Sequence, residues 1–399
     1  MANTNFGMLT GDQLQAWSRS FWKVARNNSF INQFAGTGSN AMVQRVTELT
    51  KSAKGSKANI TLLADMAGDG ITGDNTLEGN EEALRAFDIS IEMDQLRFAN
   101  RIQGRMTDQK TIVNFREQSR DTLAYAMADR IDQLAFLTLS GLQYNLKNNG
   151  ALRAATAVTG DVLSGLEFAP GAGDAATSAR SLCLNGGDAN TDSVMSASGS
   201  NQSDFTSSDK LSYASIVNLK AYAKDNYIRG IRGAGNQEVF HMFVTPQQMA
   251  SLKLDSDFLA NVRNAGVRGA SNSLFSGTSS LMVDGVMIHE FRHVFNTAGA
   301  DDITVGGYSG GLSAGDPGAK WGANGAVNGA RALFCGAQAL AMADIGNAEM
   351  TEDTFDYGNQ SGISVGKIFG LKKPKFNIAP PGATADVQDF GVITLDTAF

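Results

Sequence analysis

The sequence predicts an α+β fold built around a projecting β-hairpin and one long helix, an arrangement made for reaching outward more than for enclosing a ligand. Two observations carry this expectation. Between Ile60 and Asp94 a Gly-rich acidic loop separates two extended segments, and from Thr107 onward apolar residues recur at helical spacing for about forty positions.

The elements follow in chain order. Near the N-terminus Leu14, Trp17, Phe21, Trp22 and Val24 form an amphipathic stretch that ends at a Gly/Ser/Asn break from Gly36 to Asn40. Trp17, Phe21 and Trp22 are its candidate contacts, either as an arm on a neighbouring subunit or packed on the chain's own domain. The polar side offers only Arg19, Lys23 and Arg26, a weak basis for a membrane-surface helix.

In the hairpin, Ile60, Leu62 and Leu63 form the outgoing strand. On the return, Phe87, Ile89, Ile91 and Met93 alternate with Asp88, Ser90, Glu92 and Asp94, the period of a half-buried strand. Glycines and acids fill the tip, including Asp69, Asp74, Glu78, Glu81 and Glu82, and leave too little apolar surface for it to pack on its own chain. Arg97, Arg101 and Arg105 lie at even spacing beyond it; on an unbroken strand they would share one face as a ladder of positive charge. The sequence supports two readings of the acidic tip: contact with such basic positions on a neighbour, or a solvated face.

Thr107 is the expected N-cap of the long helix, with Ile112, Phe115, Leu123, Met127, Ile131, Leu134 and Leu142 on its apolar face. Arg116, Glu117, Arg120, Asp121, Asp129, Arg130 and Asp132 are assigned to the polar face, and Lys147 to Gly150 to the stop. Such a helix would approach ~50 Å, the length of a scaffold element.

From Thr156 to Ser208 the chain is rich in Ser, Gly, Ala, Asp and Thr and reads as a long insertion or loop. A helical face resumes with Ile216, Leu219, Ala223 and Tyr227, Val239 to Val244 reads as a strand, and Pro246 to Leu254 as another helix. A second Gly-rich tract runs from Ala298 to Gly329, where Pro317 and Trp321 point to an ordered loop.

Composition excludes several function classes. The chain of 399 residues is long enough for two or three domains, and its net charge of −7 is spread along the sequence. A dedicated nucleic-acid binder needs clustered Lys and Arg, and the basic runs are confined to Arg229 to Arg232 and Lys372 to Lys375. No apolar signal core or membrane-length run is present, so a soluble protein made in a cytoplasm is expected. The two cysteines, Cys183 and Cys335, lack metal-ligand spacing and read as buried or incidental thiols.

One motif invites a catalytic reading. His289, Glu290 and His293 match the zinc-peptidase pattern, in which two histidines one helical turn apart share a metal and the glutamate activates water. The flanks Met282, Val283, Val286, Met287, Ile288, Val294 and Phe295 favour a strand instead. Residues four apart on a strand are about 13 Å from each other, too far to share a metal. A third ligand would have to come from His241, Glu349 or Glu352. Gly36, Gly38 and Ala41 imitate a dinucleotide fingerprint without a strand before them, and the acids of the hairpin tip lack the ligand ladder of a calcium loop. No enzyme activity, cofactor or metal is expected.

Longer stretches resemble a known family: GDNTLEGNEEAL in the hairpin, DTLAYAMADRIDQLAFLTLSG in the helix, HMFVTPQQMASLK, FDYGNQSGISVGKIFGLKKPKF, and DFGVITLDTAF at the end. Together they resemble the major capsid protein family of N-4-type tailed phages, over both halves of the chain and least from Ala151 to Ser208. The resemblance implies the HK-97-type capsid fold, with an N-terminal arm (1–58), an extended hairpin or E-loop (59–106), a spine helix and peripheral domain (107–240), an axial domain (241–345) and a return to the peripheral domain (346–399). It also implies hexamers and pentamers of this chain tiling an icosahedral shell around phage DNA, with no sequence-specific grip on it. The expected location is the virion, after assembly in the host bacterial cytoplasm with portal and scaffolding proteins and with room for a decoration protein. An encapsulin-like compartment is the alternative on the same fold, and a zinc peptidase through His289, Glu290 and His293 the alternative from another class.

Overall fold

The computed structural model describes residues 29–47, 55–63, 70–79, 81, 86–110, 115–153, 163–184, 195–197, 205–233, 237–265, 280–300, 319–322, 325–377 and 386–399. Trp17, Phe21, Trp22, Asp69, Glu82 and Pro317 lie outside these residues.

Two sheets face a single long helix. The first has six strands, in the order Ala35–Gly36, Val43–Val46, Leu340–Asp344, Gln360–Lys372 and Glu349–Phe355, with Asp94–Arg101 also paired to Gln360–Lys372. Its axis is the long strand Gln360–Lys372, which carries partners along both edges. The second has eight strands, running Ser280–Val283, Val286–Glu290, Glu238–Val244, Gly329–Cys335, Val392–Ala398, Ser181–Leu184 and Met195–Ala197, with Ile231–Arg232 attached to Glu238–Val244. The C-terminal strand Val392–Ala398 is buried at every position. It lies between Gly329–Cys335 (antiparallel) and Ser181–Leu184 (parallel), so the last residues of the chain are built into the second sheet.

The helix Phe115–Ser140 explains why the two sheets form one body. Its first half is amphipathic, with Leu123, Ala124 and Met127 buried and Glu117, Gln118, Thr122 and Tyr125 exposed. Its last turns are buried nearly all round: Ile131, Leu134, Phe136, Leu137 and Leu139 join one core with Leu96, Ile363, Val365 and Phe369 of the first sheet and Phe243, Leu333 and Val392 of the second. Each such side chain removed from water contributes roughly 1.5–3 kcal/mol. A further core lies on the second sheet, where Ile216, Leu219 and Ala223 of the helix Tyr213–Asp225 meet Phe240, Met242, Phe334 and Ile393.

The described helical residues fall into two segments on either side of 111–114. Thr107 lies inside the helical segment Arg105–Lys110, so it is no cap, and the segment Phe115–Ser140 has 26 residues, about 39 Å of rise. It ends at Gly141, whose φ of 69° is the left-handed conformation that closes helices. The Gly141 and Leu142 amides donate back to the Thr138 and Leu137 carbonyls, both at 3.0 Å. Leu142 continued the apolar period in sequence because this closing motif buries the residue after the glycine.

Other expectations meet the structure directly. The hairpin forms from Lys57–Leu63 and Ala86–Glu92, antiparallel. Pro246–Leu254 is a helix: Thr245 Oγ1 accepts from the Gln248 amide at 3.2 Å, Gln248 Oε1 accepts from the Thr245 amide at 3.0 Å, and Pro246 occupies the first turn. Glu238–Val244 is a strand. The Ser/Gly-rich stretch is not loop throughout, since Ser181–Leu184 is a fully buried strand inside the second sheet. Four apolar-rich residues held by a parallel neighbour need no longer period to be a strand, which is why composition hid them. Trp321 is buried, its ring lying over Gly329, a position where any side chain would collide with the indole.

Candidate assembly interface

The hairpin is anchored at its base and exposed over the described part of its tip. Ala58, Ile60, Ile91 and Met93 are buried against Val46, Ala341 and Ala343, forming a small core between hairpin and first sheet. Gly370 of the long strand lies directly under the Glu92 carbonyl, where a Cβ would collide with that oxygen. Lys57 and Glu92 pair across the base at 2.6 Å. At the other end, residues 70–79 are exposed almost throughout, and Gly70, Gly73 and Gly79 adopt positive φ with open space around them. Internal bonds hold the turns: Asn75 Nδ2 donates to the Thr72 carbonyl at 2.8 Å, and the Gly79 amide donates to Glu81 Oε2 at 2.8 Å. Asp74, Glu78 and Glu81 meet no cation among the described residues.

The arginines do not form the continuous ladder that even spacing implied. The return strand Ala86–Glu92 ends at the base of the hairpin, and the chain enters a different sheet as Asp94–Arg101. Arg97 and Arg101 share the exposed face of that strand, whereas Arg105 begins the short helix Arg105–Lys110. A shared face needs unbroken strand, and the strand stops at Arg101. Arg101 and Arg105 converge instead on one turn. The Arg101 guanidinium lies 4.3 Å over the Phe355 ring and donates to Gln360 Oε1, while Arg105 Nε donates to the Gly358 carbonyl at 3.1 Å. None of the three forms an ion pair with a described carboxylate.

A second candidate surface is the point where the N-terminal segment enters the body. Asp132 Oδ1 accepts from the Ser29 hydroxyl at 2.7 Å and the Ile31 amide at 3.1 Å, and Oδ2 accepts from the Phe30 amide at 2.8 Å. Asp132 is only 2% exposed, so its assignment to the polar face is corrected: three donors from another segment replace water around it. Burial, opposed by those hydrogen bonds, pushes its carboxyl up to about 6. Phe30 stacks on Phe291 at 4.2 Å, and Phe34 meets His241 and His289 edge-on, each at 5.1 Å. The sequence signal for this anchor is an acid one position from Ile131 and two from Leu134, inside the most apolar part of the helix.

The zinc-peptidase pattern comes apart in three dimensions. His289 and Glu290 end the strand Val286–Glu290, and His293 lies beyond it. The ring nitrogens His289 Nε2 and His241 Nδ1 share a proton at 3.0 Å, while His293 Nε2 donates to Asp129 Oδ1 at 2.6 Å. Arg292 joins the same oxygen at 2.9 Å, and Glu352 is paired with Arg116 at 2.7 Å. The two histidines of the motif therefore face different partners, and no cluster of three metal-binding side chains occurs among the described residues. Burial lowers both His241, to about 4, and His289; the neighbouring His289 lowers His241 further. Cys183 and Cys335 are buried free thiols, and burial raises Cys335 well above the ordinary range. Among the described residues no helix is long and apolar enough to cross a membrane.

Comparison with known proteins points to phage capsids. The major capsid protein of Pseudomonas phage KPP25 is 50% identical over 396 residues, covering 99% of this chain and 97% of that protein. Among solved structures, the capsid of Ralstonia phage GP4 superposes with a TM-score of 0.68 at 23% identity, over 92% of this chain and 90% of the other. The cyanophage Pam1 capsid gives a TM-score of 0.66 at 16% identity, over 100% and 96%. These likenesses establish the HK-97-type capsid fold. The family described as phage capsid protein matches residues 5–399, and this chain, a structural protein and not an enzyme, belongs to it.

Proposed function

We propose that this chain is the major capsid protein of an N-4-type tailed phage, and that hexamers and pentamers of it tile the icosahedral shell enclosing the phage DNA. The observation that carries the reading is a hairpin anchored at Ile60, Ile91 and Met93 whose described tip residues, 70–79, are exposed almost throughout. An arm of this kind stabilises a shell by overlap, burying more area per subunit than a flat edge and summing many weak contacts.

In this reading the hairpin belongs to the E-loop (59–106) and Phe115–Ser140 is the spine helix, with the peripheral domain in 107–240 and 346–399 and the axial domain in 241–345. Residues 1–58 are the N-terminal arm, with Trp17, Phe21 and Trp22 as its contacts on a neighbouring subunit. The acids Asp69, Asp74, Glu78, Glu81 and Glu82 meet basic positions on a neighbour, with Arg97, Arg101 and Arg105 as partners. Portal and scaffolding proteins take part in assembly in the host cytoplasm, and a decoration protein has the outer surface available.

Electron microscopy of the purified protein, after size-exclusion chromatography, tests the reading. Closed shells or capsomer rings are expected; a strictly monomeric or dimeric protein, even with scaffold supplied, overturns it. Replacing Asp74, Glu78 and Glu82 together is expected to weaken assembly without unfolding the subunit. Normal shells from that variant at high salt would remove the charged contact.

A further inference from the structure

We propose that the turn Phe355 to Asn359, with the arginines around it, is the receiving surface for the hairpin tip of a second copy of this chain, with Tyr357 as its aromatic anchor and Leu77 as the apolar residue it takes. The inference rests on the shell-building reading and deepens it by naming both sides of one contact.

The turn joins the strands Glu349–Phe355 and Gln360–Lys372. Asp356 and Tyr357 both have positive φ, 53° and 50°, and the Gly358 amide donates to the Phe355 carbonyl at 3.2 Å, a type I′ geometry. Such turns favour Asn-Gly because left-handed backbone is unfavourable for a residue with a bulky side chain. Here the second central position is a tyrosine at 108% relative exposure, its ring buried by nothing in its own chain. A bulky aromatic ring in left-handed backbone that gains no burial contributes little to this fold. Its gain lies in a contact beyond the chain.

The surroundings indicate which contact. Arg101 is held by the Phe355 ring, and Arg105 by the Gly358 carbonyl, with its amide donating to Asn359 Oδ1 at 3.3 Å. The turn thus fixes two guanidinium groups in place without neutralising them. Met106, 69% exposed, follows Arg105 and adds apolar area. Tyrosine and arginine beside apolar surface form the composition of an interface anchor. The hairpin tip is complementary in both respects: Leu77 is 62% exposed, and Asp74 and Glu78 near it meet no cation among the described residues. Within one chain the two surfaces stay apart, since the tip residues are exposed and open space surrounds Gly70, Gly73 and Gly79. A tip on one copy and a turn on the next make a head-to-tail contact, the kind that closes into rings.

The test is disulfide trapping in assembled particles of the full chain carrying Leu77→Cys and Tyr357→Cys, both native cysteines being buried. Mild oxidation is expected to give a ladder of covalent multimers on a non-reducing gel, running beyond dimer, while Leu77→Cys with Tyr227→Cys stays monomeric. Particles that form normally by microscopy but give no more cross-link than this control overturn the contact and leave the shell reading intact. Failure of the unmodified protein to assemble at all overturns both. If the cysteine pair blocks assembly, charge reversal decides: Glu78→Arg should lower particle yield roughly tenfold and Arg105→Glu in the same chain should restore it. No restoration overturns the proposal.

Discussion

Ser29 and Asp132 are 103 positions apart in sequence, yet the Ser29 hydroxyl donates to Asp132 Oδ1 at 2.7 Å in the buried interior. Through this bond and the Phe30 and Ile31 amides, one carboxylate ties the start of the described chain to the middle of the long helix, where both sheets meet.

Removing that acceptor should loosen the N-terminal segment. Asp132→Ala leaves a hydroxyl and two amides without their partner and is expected to cost about 3 kcal/mol. Asp132→Asn, which keeps one acceptor oxygen, should cost about 1 kcal/mol. Urea denaturation of the unassembled subunit measures both, and equal stabilities for the two variants would show that the carboxylate does not organise the segment.

The same residue shapes the response to acid. Asp132 is raised in the fold, to about 6 from 3.8, so its contribution is fully present below the unfolded value and is lost as pH rises through 6. His241 is lowered, to about 4 from 6.5, and favours the fold above 6.5, an effect lost as pH falls through 4. Asp129 acts in the same direction as His241: burial pushes it up, but His293 and Arg292 outweigh that and hold it below its usual value. Between pH 4 and 6 the trends oppose each other. Asp132→Asn should therefore make stability rise more steeply with pH across this window, and His241→Phe should flatten or reverse the rise. Denaturation midpoints across that range read the slopes directly.

Hairpin orientation depends on the absence of one side chain. Gly370→Ala places a methyl group against the Glu92 carbonyl at the hairpin base, expected to cost about 1–3 kcal/mol and to tilt the arm. Calorimetry should register the loss, and electron microscopy should find malformed shells. Wild-type stability with normal shells would mean that the base adjusts freely.

The C-terminal strand is pinned by a buried ion pair. Arg331 donates to both oxygens of Asp396 at 2.7 and 2.9 Å and to the Ser140 carbonyl at 3.0 Å. Arg331→Met alone strands the carboxylate and should cost about 3–5 kcal/mol, whereas Arg331→Met with Asp396→Leu should recover most of it. A double variant as unstable as the single one, by urea denaturation, would assign the loss to the contact with Ser140.

Elements with a local pattern were legible from the residues alone: the alternation of Phe87, Ile89 and Ile91, the apolar face from Leu123 to Leu134, and the helix beginning at Pro246. The acidic tip between Gly70 and Gly79 was also legible, because a segment of glycines and acids with only Ile71 and Leu77 as large apolar residues has too little apolar surface to pack on its own chain. Features that depend on distant partners emerged only in the folded chain. Arg105 left the ladder because its strand ended at Arg101, and Ser181–Leu184 became a buried strand because Val392–Ala398 lay beside it. Gly141 ended the helix while Leu142 kept its apolar period, and Asp132 moved from the polar face to the core because Ser29, Phe30 and Ile31 arrived with donors. Periodicity records which face of an element avoids water; which segment covers that face is fixed only when residues remote in sequence pack together.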